Sequence, residues 1–156
     1  MCMDHITYRW TDAENEDFKR FYLITEDYYN SLVGGHQNRK DFVPYNLSDS
    51  IHDVLIAYVG GQAAACAGLK RYSDTDAEIK RVWVQKEYRG RHIASAMMDM
   101  LEKKAAEQGF ARTILQTREI MAAAVSLYKG RGYYQISNYP PYDRLDGAVC
   151  FARDLI

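Results

Sequence analysis

Apolar residues recur with a helical period over residues 91–108: Ile93, Met97, Leu101 and Ala105 fall on one line, with Ala94 and Met98 beside it. This predicts the clearest amphipathic helix of the chain, with Asp99 and Lys103 four apart on its outer face and Gly109 as its C-cap. A looser period through Phe18, Phe21, Tyr22, Tyr28 and Tyr29 predicts a helix over about 14–31, capped by Asp12, with Thr25 as a candidate break. Residues 53–72, DVLIAYVGGQAAACAGLKRY, are two apolar runs parted by Gly60–Gly61, the pattern of a β-hairpin. Ser73–Asp76 reads as a second turn and Ala77–Val84 as the third strand of a meander. Further strands are predicted at 3–10, Thr113–Gln116, Tyr133–Ile136 and Gly147–Arg153. Gly34–Gly35 reads as a joint, residues 36–42 as a short helix, and the stretch to Ser48 as a loop. Residues 120–129 read as a last helix, stopped by Gly130 and Gly132, and Pro140–Pro141 forces a loop. The order β, helices, β-β-β, α, β, α, β, β places the chain in the α/β class, with a mixed sheet whose front half is antiparallel.

Composition narrows the partners. The 156 residues fit one domain with one core, taken as 1–156. A net charge of −1 gives no reason to expect a nucleic-acid partner. No apolar run approaches the ~20 residues of a membrane span, so no membrane association is expected. The start MCMDHITYRW lacks the basic-then-apolar order of a signal peptide. Cys2, Cys66 and Cys150 are widely separated, which fits free thiols in a reducing, cytoplasmic setting, with Cys66 a small buried hydrophobe rather than a nucleophile. His5, His36, His52 and His92 have no metal-ligand spacing, and no structural metal is expected. The tyrosines near 28–29, 45 and 133–142 suit a pocket that is partly apolar and partly hydrogen-bonding.

Candidate chemistry concentrates between Glu78 and Phe110, a strand, a tight loop and a helix. Val82, Trp83 and Val84 end the strand, and Tyr88-Arg89-Gly90-Arg91-His92-Ile93-Ala94 follows. Gly90 permits backbone angles closed to other residues. The N–H groups at the helix start lack intrahelical acceptors, so with Arg89 or Arg91 they form an anion site. The same residues also fit an ordinary turn with two solvated arginines. Neither a Walker loop nor a dinucleotide-binding glycine fingerprint is present.

Set beside a second segment, SLYKGRGYYQI (residues 126–136), the chain resembles the GNAT superfamily of acetyl-CoA-dependent N-acetyltransferases. That family's pyrophosphate loop reads Arg or Gln, two residues, Gly, one residue, then Gly or Ala. Here it falls on Arg89-Gly90-Arg91-His92-Ile93-Ala94, with His92 in the glycine position. The second segment is similar to the family's Leu-Tyr-x-x-x-Gly-Phe signature, with Tyr133 for Phe and Met121 where many members have Asn. The resemblance implies a sheet whose two central strands splay apart, with acetyl-CoA as cosubstrate in the gap. Val82, Trp83 and Val84 would line the pantetheine arm. Arg89, Gly90, Arg91, His92, Ile93, Ala94 and Ser95 would hold the pyrophosphate, and Ala124 and Leu127 would approach near the thioester. It further implies Tyr128 as general acid for the departing thiolate, and a backbone N–H near Val84 that polarises the carbonyl.

Glu78 is the candidate base for the amine, directly or through a water. Simple alternation puts Glu78, Lys80 and Val82 on one face of the strand and Ile79, Arg81 and Trp83 on the other. A solvated edge carboxylate, or a partner for Arg81, is the plainer account of Glu78. Residues 44–46 (PYN) and 139–143 (YPPYD) are expected to line the acceptor pocket, with Arg39, Tyr45 and Arg144 available to a substrate carboxylate. The expected acceptor is a small-molecule amine, with a protein lysine or N-terminus, or a non-catalytic acyl-CoA-binding role, as the alternatives. A homodimer is compatible with the family.

Overall fold

The computed structural model describes residues 5–32 and 50–155. Gly60 and Gly61 both have positive φ, +56° and +83°, which a tight two-residue turn requires and which glycine supplies without strain. They join β2 (Ile51–Val59) to β3 (Gln62–Arg71) in the expected antiparallel hairpin. β1 (Ile6–Thr11) adds to the free edge of β2, and β4 (Asp76–Val84) to that of β3, both antiparallel. β5 (Arg112–Arg118) runs parallel to β4, and β7 (Ala148–Asp154) lies antiparallel between β5 and the short edge strand β6 (Tyr134–Ile136). The seven-stranded sheet has the order β1-β2-β3-β4-β5-β7-β6, so the mixed class with an antiparallel front half is borne out.

Helices cover both faces. α2 (Ile93–Glu107) lays Ile93, Met97, Met98, Leu101 and Ala105 on the face that carries Leu55, Ala57, Leu69, Ala77, Ile79 and Leu115. α1 (Glu16–Leu32) packs Phe18 and Phe21 on the opposite face, against Val54, Ile56, Cys66 and Trp83. α3 (Ala122–Gly130) joins β5 to β6. Thr25 does not break α1: its Oγ1 donates back to the Tyr22 carbonyl at 2.9 Å within the helix. Nor does Asp12 cap it. Asn15 Oδ1 accepts from Asp17 N and Phe18 N at 2.9 and 3.1 Å, whereas Asp12 Oδ1 serves Glu14 N in the preceding turn. The expected joint at Gly34–Gly35, the helix at 36–42 and the loop to Ser48 lie outside the described residues. No helix among the described residues is long and apolar enough to cross a membrane.

The expected alternation along β4 fails at one residue. Cys66 pairs with Trp83 but Gly68 pairs with Lys80, so Ala67 of β3 faces both Arg81 and Val82. This is a β-bulge, and Arg81 takes the extra turn at φ +60°. A non-glycine residue there costs on the order of 1–3 kcal/mol. Beyond the bulge the faces exchange. Val82 and Val84 join Ile79 on the α2 side, while Arg81 and Trp83 turn toward α1.

Gly68 sits opposite that irregularity with no room for a side chain. A Cβ there would meet Ile51 Cγ2 at 2.7 Å, and Ile51 is itself buried and stiff. Gly68→Ala is therefore expected to lower unfolding free energy by about 1–3 kcal/mol, read as a shifted midpoint in urea. An unchanged midpoint would show that the β2 end yields freely.

Candidate functional site

β4 and β5 pair only at Asp76↔Arg112, Ala77↔Thr113 and Glu78↔Ile114. Past that point each strand runs on without the other, and a cleft of about 390 Å³ opens beside the end of β4. Its walls are Val82, Trp83 and Val84 of β4, Arg89 and Gly90 of the loop, His92, Ile93, Ala94 and Ser95 at the start of α2, and Ala124, Leu127 and Tyr128 of α3. These are the residues expected on the cofactor side, with one exception. Arg91 is not in the lining; its guanidinium stands 5.6 Å from the centre of the Tyr88 ring. Three further lining residues were not expected there, Tyr88, Met121 and Ala123, and Tyr28, one of the tyrosines expected to suit a pocket, lines it as well. Tyr88 and Met121 adjoin motif positions, but Tyr28 comes from α1, and only tertiary packing brings it to Trp83, with ring centroids 5.1 Å apart.

The loop owes its shape to two left-handed residues on either side of Arg91. Gly90 has φ +84°, and His92, the N-cap of α2, has φ +61° and ψ +21°. His92 thus keeps the conformation that a glycine takes freely, at a cost of about 1–2 kcal/mol to the backbone. No side chain caps α2, and its helical bonding begins with Ala96 N to His92 O at 3.1 Å, so the N–H groups of Ile93 to Ser95 have no acceptor within the helix. Arg89 folds back on the strand: Nε donates to the Val84 carbonyl at 2.9 Å, and the guanidinium lies 4.9 Å over the Trp83 ring.

Tyr128 is buried in the cleft wall, its ring 5.9 Å from that of Tyr133. The hydroxyl that distinguishes Tyr133 from phenylalanine is in use: it donates to Glu102 Oε2 at 2.9 Å and lies 2.8 Å from Thr113 Oγ1. Burial first, then the Glu102 charge, pushes the Tyr133 hydroxyl up from its ordinary pKa. Glu102 Oε1 also accepts from Arg131 at 2.8 Å and Arg153 at 2.9 Å, and Arg131 Nη1 reaches the Ser95 carbonyl at 3.2 Å. The first turn of α2 is thereby fixed to the connection that follows α3.

Glu78 lies at the last paired position before the strands part, and it is not in the cleft lining. It is 3% exposed, which excludes a solvated edge carboxylate. Arg81 does not pair with it either, because Arg81 Nη1 bonds Glu26. Tyr139 donates to Glu78 Oε2 at 2.8 Å, Tyr142 packs edge-on against Tyr139, and Lys80 Nζ donates to the Tyr142 hydroxyl at 2.9 Å. Burial and the nearby Glu78 charge push both tyrosine hydroxyls up, and burial pulls Lys80 down. The YPPYD segment thus turns two tyrosines onto Glu78, while Arg144 is exposed and Arg39 and Tyr45 lie outside the described residues. Burial pushes the Cys66 thiol up to about 12 and the Cys150 thiol to about 11, so neither is a thiolate at neutral pH. Among the described residues no cluster of His, Cys, Asp and Glu could hold a metal ion.

A model of the Acetyltransferase (GNAT) family matches residues 7–133, and the chain belongs to that family. Among relatives, an IAA acetyltransferase of Azospirillum brasilense is 28% identical over 91 residues, covering 56% of this chain and 58% of the relative. The chain spans 27–58% of the length of the curated relatives it matches. Two of the solved structures that share the fold are acetyltransferases. A GNAT-family acetyltransferase of Staphylococcus aureus superposes with a TM-score of 0.75 at 18% identity, covering 97% of this chain and 100% of that one. A GNAT-family acetyltransferase of Elizabethkingia anophelis, with acetyl-CoA bound, gives 0.67 at 16% identity, covering 97% and 99%.

The left-handed His92 makes a direct prediction. His92→Gly is expected to stabilise the protein by up to about 1 kcal/mol, less than the full backbone cost because glycine gains freedom in the unfolded chain. The measurement is the urea midpoint, and a lower midpoint would show that the histidine ring contributes more than its backbone costs.

Proposed function

We propose that the chain transfers the acetyl group of acetyl-CoA to a primary amine of a small molecule, and that residues 1–156 form one domain with this activity. The observation that carries the reading is the convergence, in one cleft, of the uncapped start of α2, the free end of β4 and the Tyr128 side chain. The residues fit the cosubstrate. Backbone N–H groups of Ile93 to Ser95 suit a pyrophosphate, with the helix dipole adding roughly 0.3–1 kcal/mol. The backbone of Val82 to Val84 offers the amide-like groups that a pantetheine arm pairs with. Apolar Ala124 and Leu127 suit the end that carries the thioester.

The chemistry follows from proton accounting. The amine nitrogen attacks the acetyl carbonyl carbon, the carbon–sulfur bond breaks, and the thiolate takes a proton from the Tyr128 hydroxyl. Glu78 takes the proton that the amine gives up, directly or through a water, and the Val84 backbone N–H steadies the carbonyl oxygen as charge builds there. Glu78 suits the base role because it sits where β4 and β5 part, on the face away from α2, held by Tyr139. The aromatic rings of Tyr28 and Trp83 at the cleft favour a compact acceptor over an extended chain.

Tyr128→Phe is expected to cut turnover about 10²-fold or more while acetyl-CoA affinity, measured by titration calorimetry, stays within a factor of about two. Undiminished turnover would remove Tyr128 from the acid role. The acceptor comes from an amine-library screen that reads released CoA thiol, with peptide substrates included. Tight acetyl-CoA binding without thiol release would point to a non-catalytic binding protein.

For Glu78→Gln, the loss of rate should be larger at low pH than at high pH. At high pH the amine is already neutral and needs no base, whereas at low pH it must be deprotonated on the enzyme. A pH–rate profile parallel to that of the unmodified protein would rule out Glu78 as the base.

A further inference from the structure

Arg81 carries two features that neither the family pattern nor the proposed chemistry uses: a left-handed backbone at φ +60° and a guanidinium only 6% exposed. Among the described residues, the guanidinium's contacts all fall on one helix. Nη1 pairs with Glu26 Oε1 at 3.3 Å, Nη2 reaches Thr25 Oγ1 at 3.2 Å and the Tyr22 carbonyl at 3.5 Å, and the group stacks 4.2 Å over the Tyr22 ring. Its own carbonyl accepts from Cys66 Sγ at 3.3 Å. Two residues further on, Trp83 packs against Tyr28 of the same helix, and both rings line the cleft. α1 therefore grips β4 on either side of Val82, the residue that the bulge turns toward the cleft.

We propose that Arg81 is a positioning residue for acyl transfer, which ties α1 to the β4 bulge and so sets the backbone of Val82 to Val84 that receives acetyl-CoA. The inference rests on the acetyltransferase reading above. A glycine would hold φ +60° without strain. An arginine held there, with its charge buried in pairing to Glu26, costs the chain backbone strain and desolvation, and in return links two elements that no strand pairing joins. A displacement of α1 by an acceptor at Tyr28 would then reach the bulge through Arg81 as well as through Trp83.

The test breaks the tether from each end. Glu26→Gln removes the ion pair and leaves the bulge backbone untouched, Arg81→Gly removes the tether and the strain together, and Arg81→Lys keeps the charge. Leu23→Ala, at a side chain 66% exposed on α1, serves as the matched control. Acetyl-CoA affinity is read by calorimetry. It is read again through Trp83 emission in a Trp10→Phe background, since the chain has only two tryptophans. The expected result is a Kd for acetyl-CoA raised about tenfold in Glu26→Gln and Arg81→Gly, largely recovered in Arg81→Lys and unchanged in Leu23→Ala, with far-UV circular dichroism intact in each. Variants that lose melting temperature but bind acetyl-CoA as the parent does would overturn the proposal, because Arg81 would then serve stability alone. Should Arg81→Gly fail to fold, Glu26→Gln decides the question by itself. Failure of the parent protein to bind acetyl-CoA would instead strike the acetyltransferase reading.

Discussion

A parallel strand pair that stops after three residues leaves backbone N–H and C=O groups facing a gap rather than a neighbour. Leaving such a group buried and unpaired costs on the order of 1–3 kcal/mol. Everything around the gap between β4 and β5 answers that constraint. The bulge at Arg81 re-aims β4 just before its free end, α2 and α3 wall the opening, and the Arg89 side chain takes up the Val84 carbonyl. The cleft is the remainder of a sheet that was not closed.

Three buried charges hold the parts in place, each in a different region. Glu102 gathers Arg131, Arg153 and Tyr133, and through Arg131 fixes the start of α2. Glu78 is held by Tyr139 beneath the β6–β7 connection. Arg81 holds α1. A buried ion pair contributes little net stability, but breaking one costs several kcal/mol. Such pairs fix geometry more than they deepen the energy minimum, which is what a cleft formed by four separate segments requires.

The architecture was largely legible in the sequence because it is local. The 3.6-residue period of α2, the Gly60–Gly61 turn and the loop after Val84 each depend on neighbours in the chain. The failures are mostly long-range. The bulge at Arg81 is a mismatch between two strands, and nothing in the sequence of β4 alone announces it; alternation therefore put Val82 on the wrong face. Asn15 rather than Asp12 caps α1 because the chain makes one more turn before the helix begins. The tyrosines over Glu78 lie 61 and 64 positions away, and Tyr28 lies 55 positions from Trp83, so their meeting is a property of packing. His92 is intermediate: its place in the motif marks a glycine position, and the left-handed backbone shows what that glycine was for.

The open seam between β4 and β5 also makes the sheet two sub-sheets joined by a short hinge of pairing. A molecule whose own amides pair along the free end of β4 acts as a surrogate strand and completes the cohesion that the polypeptide leaves out. Folding and ligand supply are then linked by mass action: at a hundred times Kd the bound molecule adds about 2.7 kcal/mol to stability. The lifetime of the chain against proteolysis would rise and fall with the concentration of its cosubstrate, so that the amount of protein present records the supply of the molecule it uses.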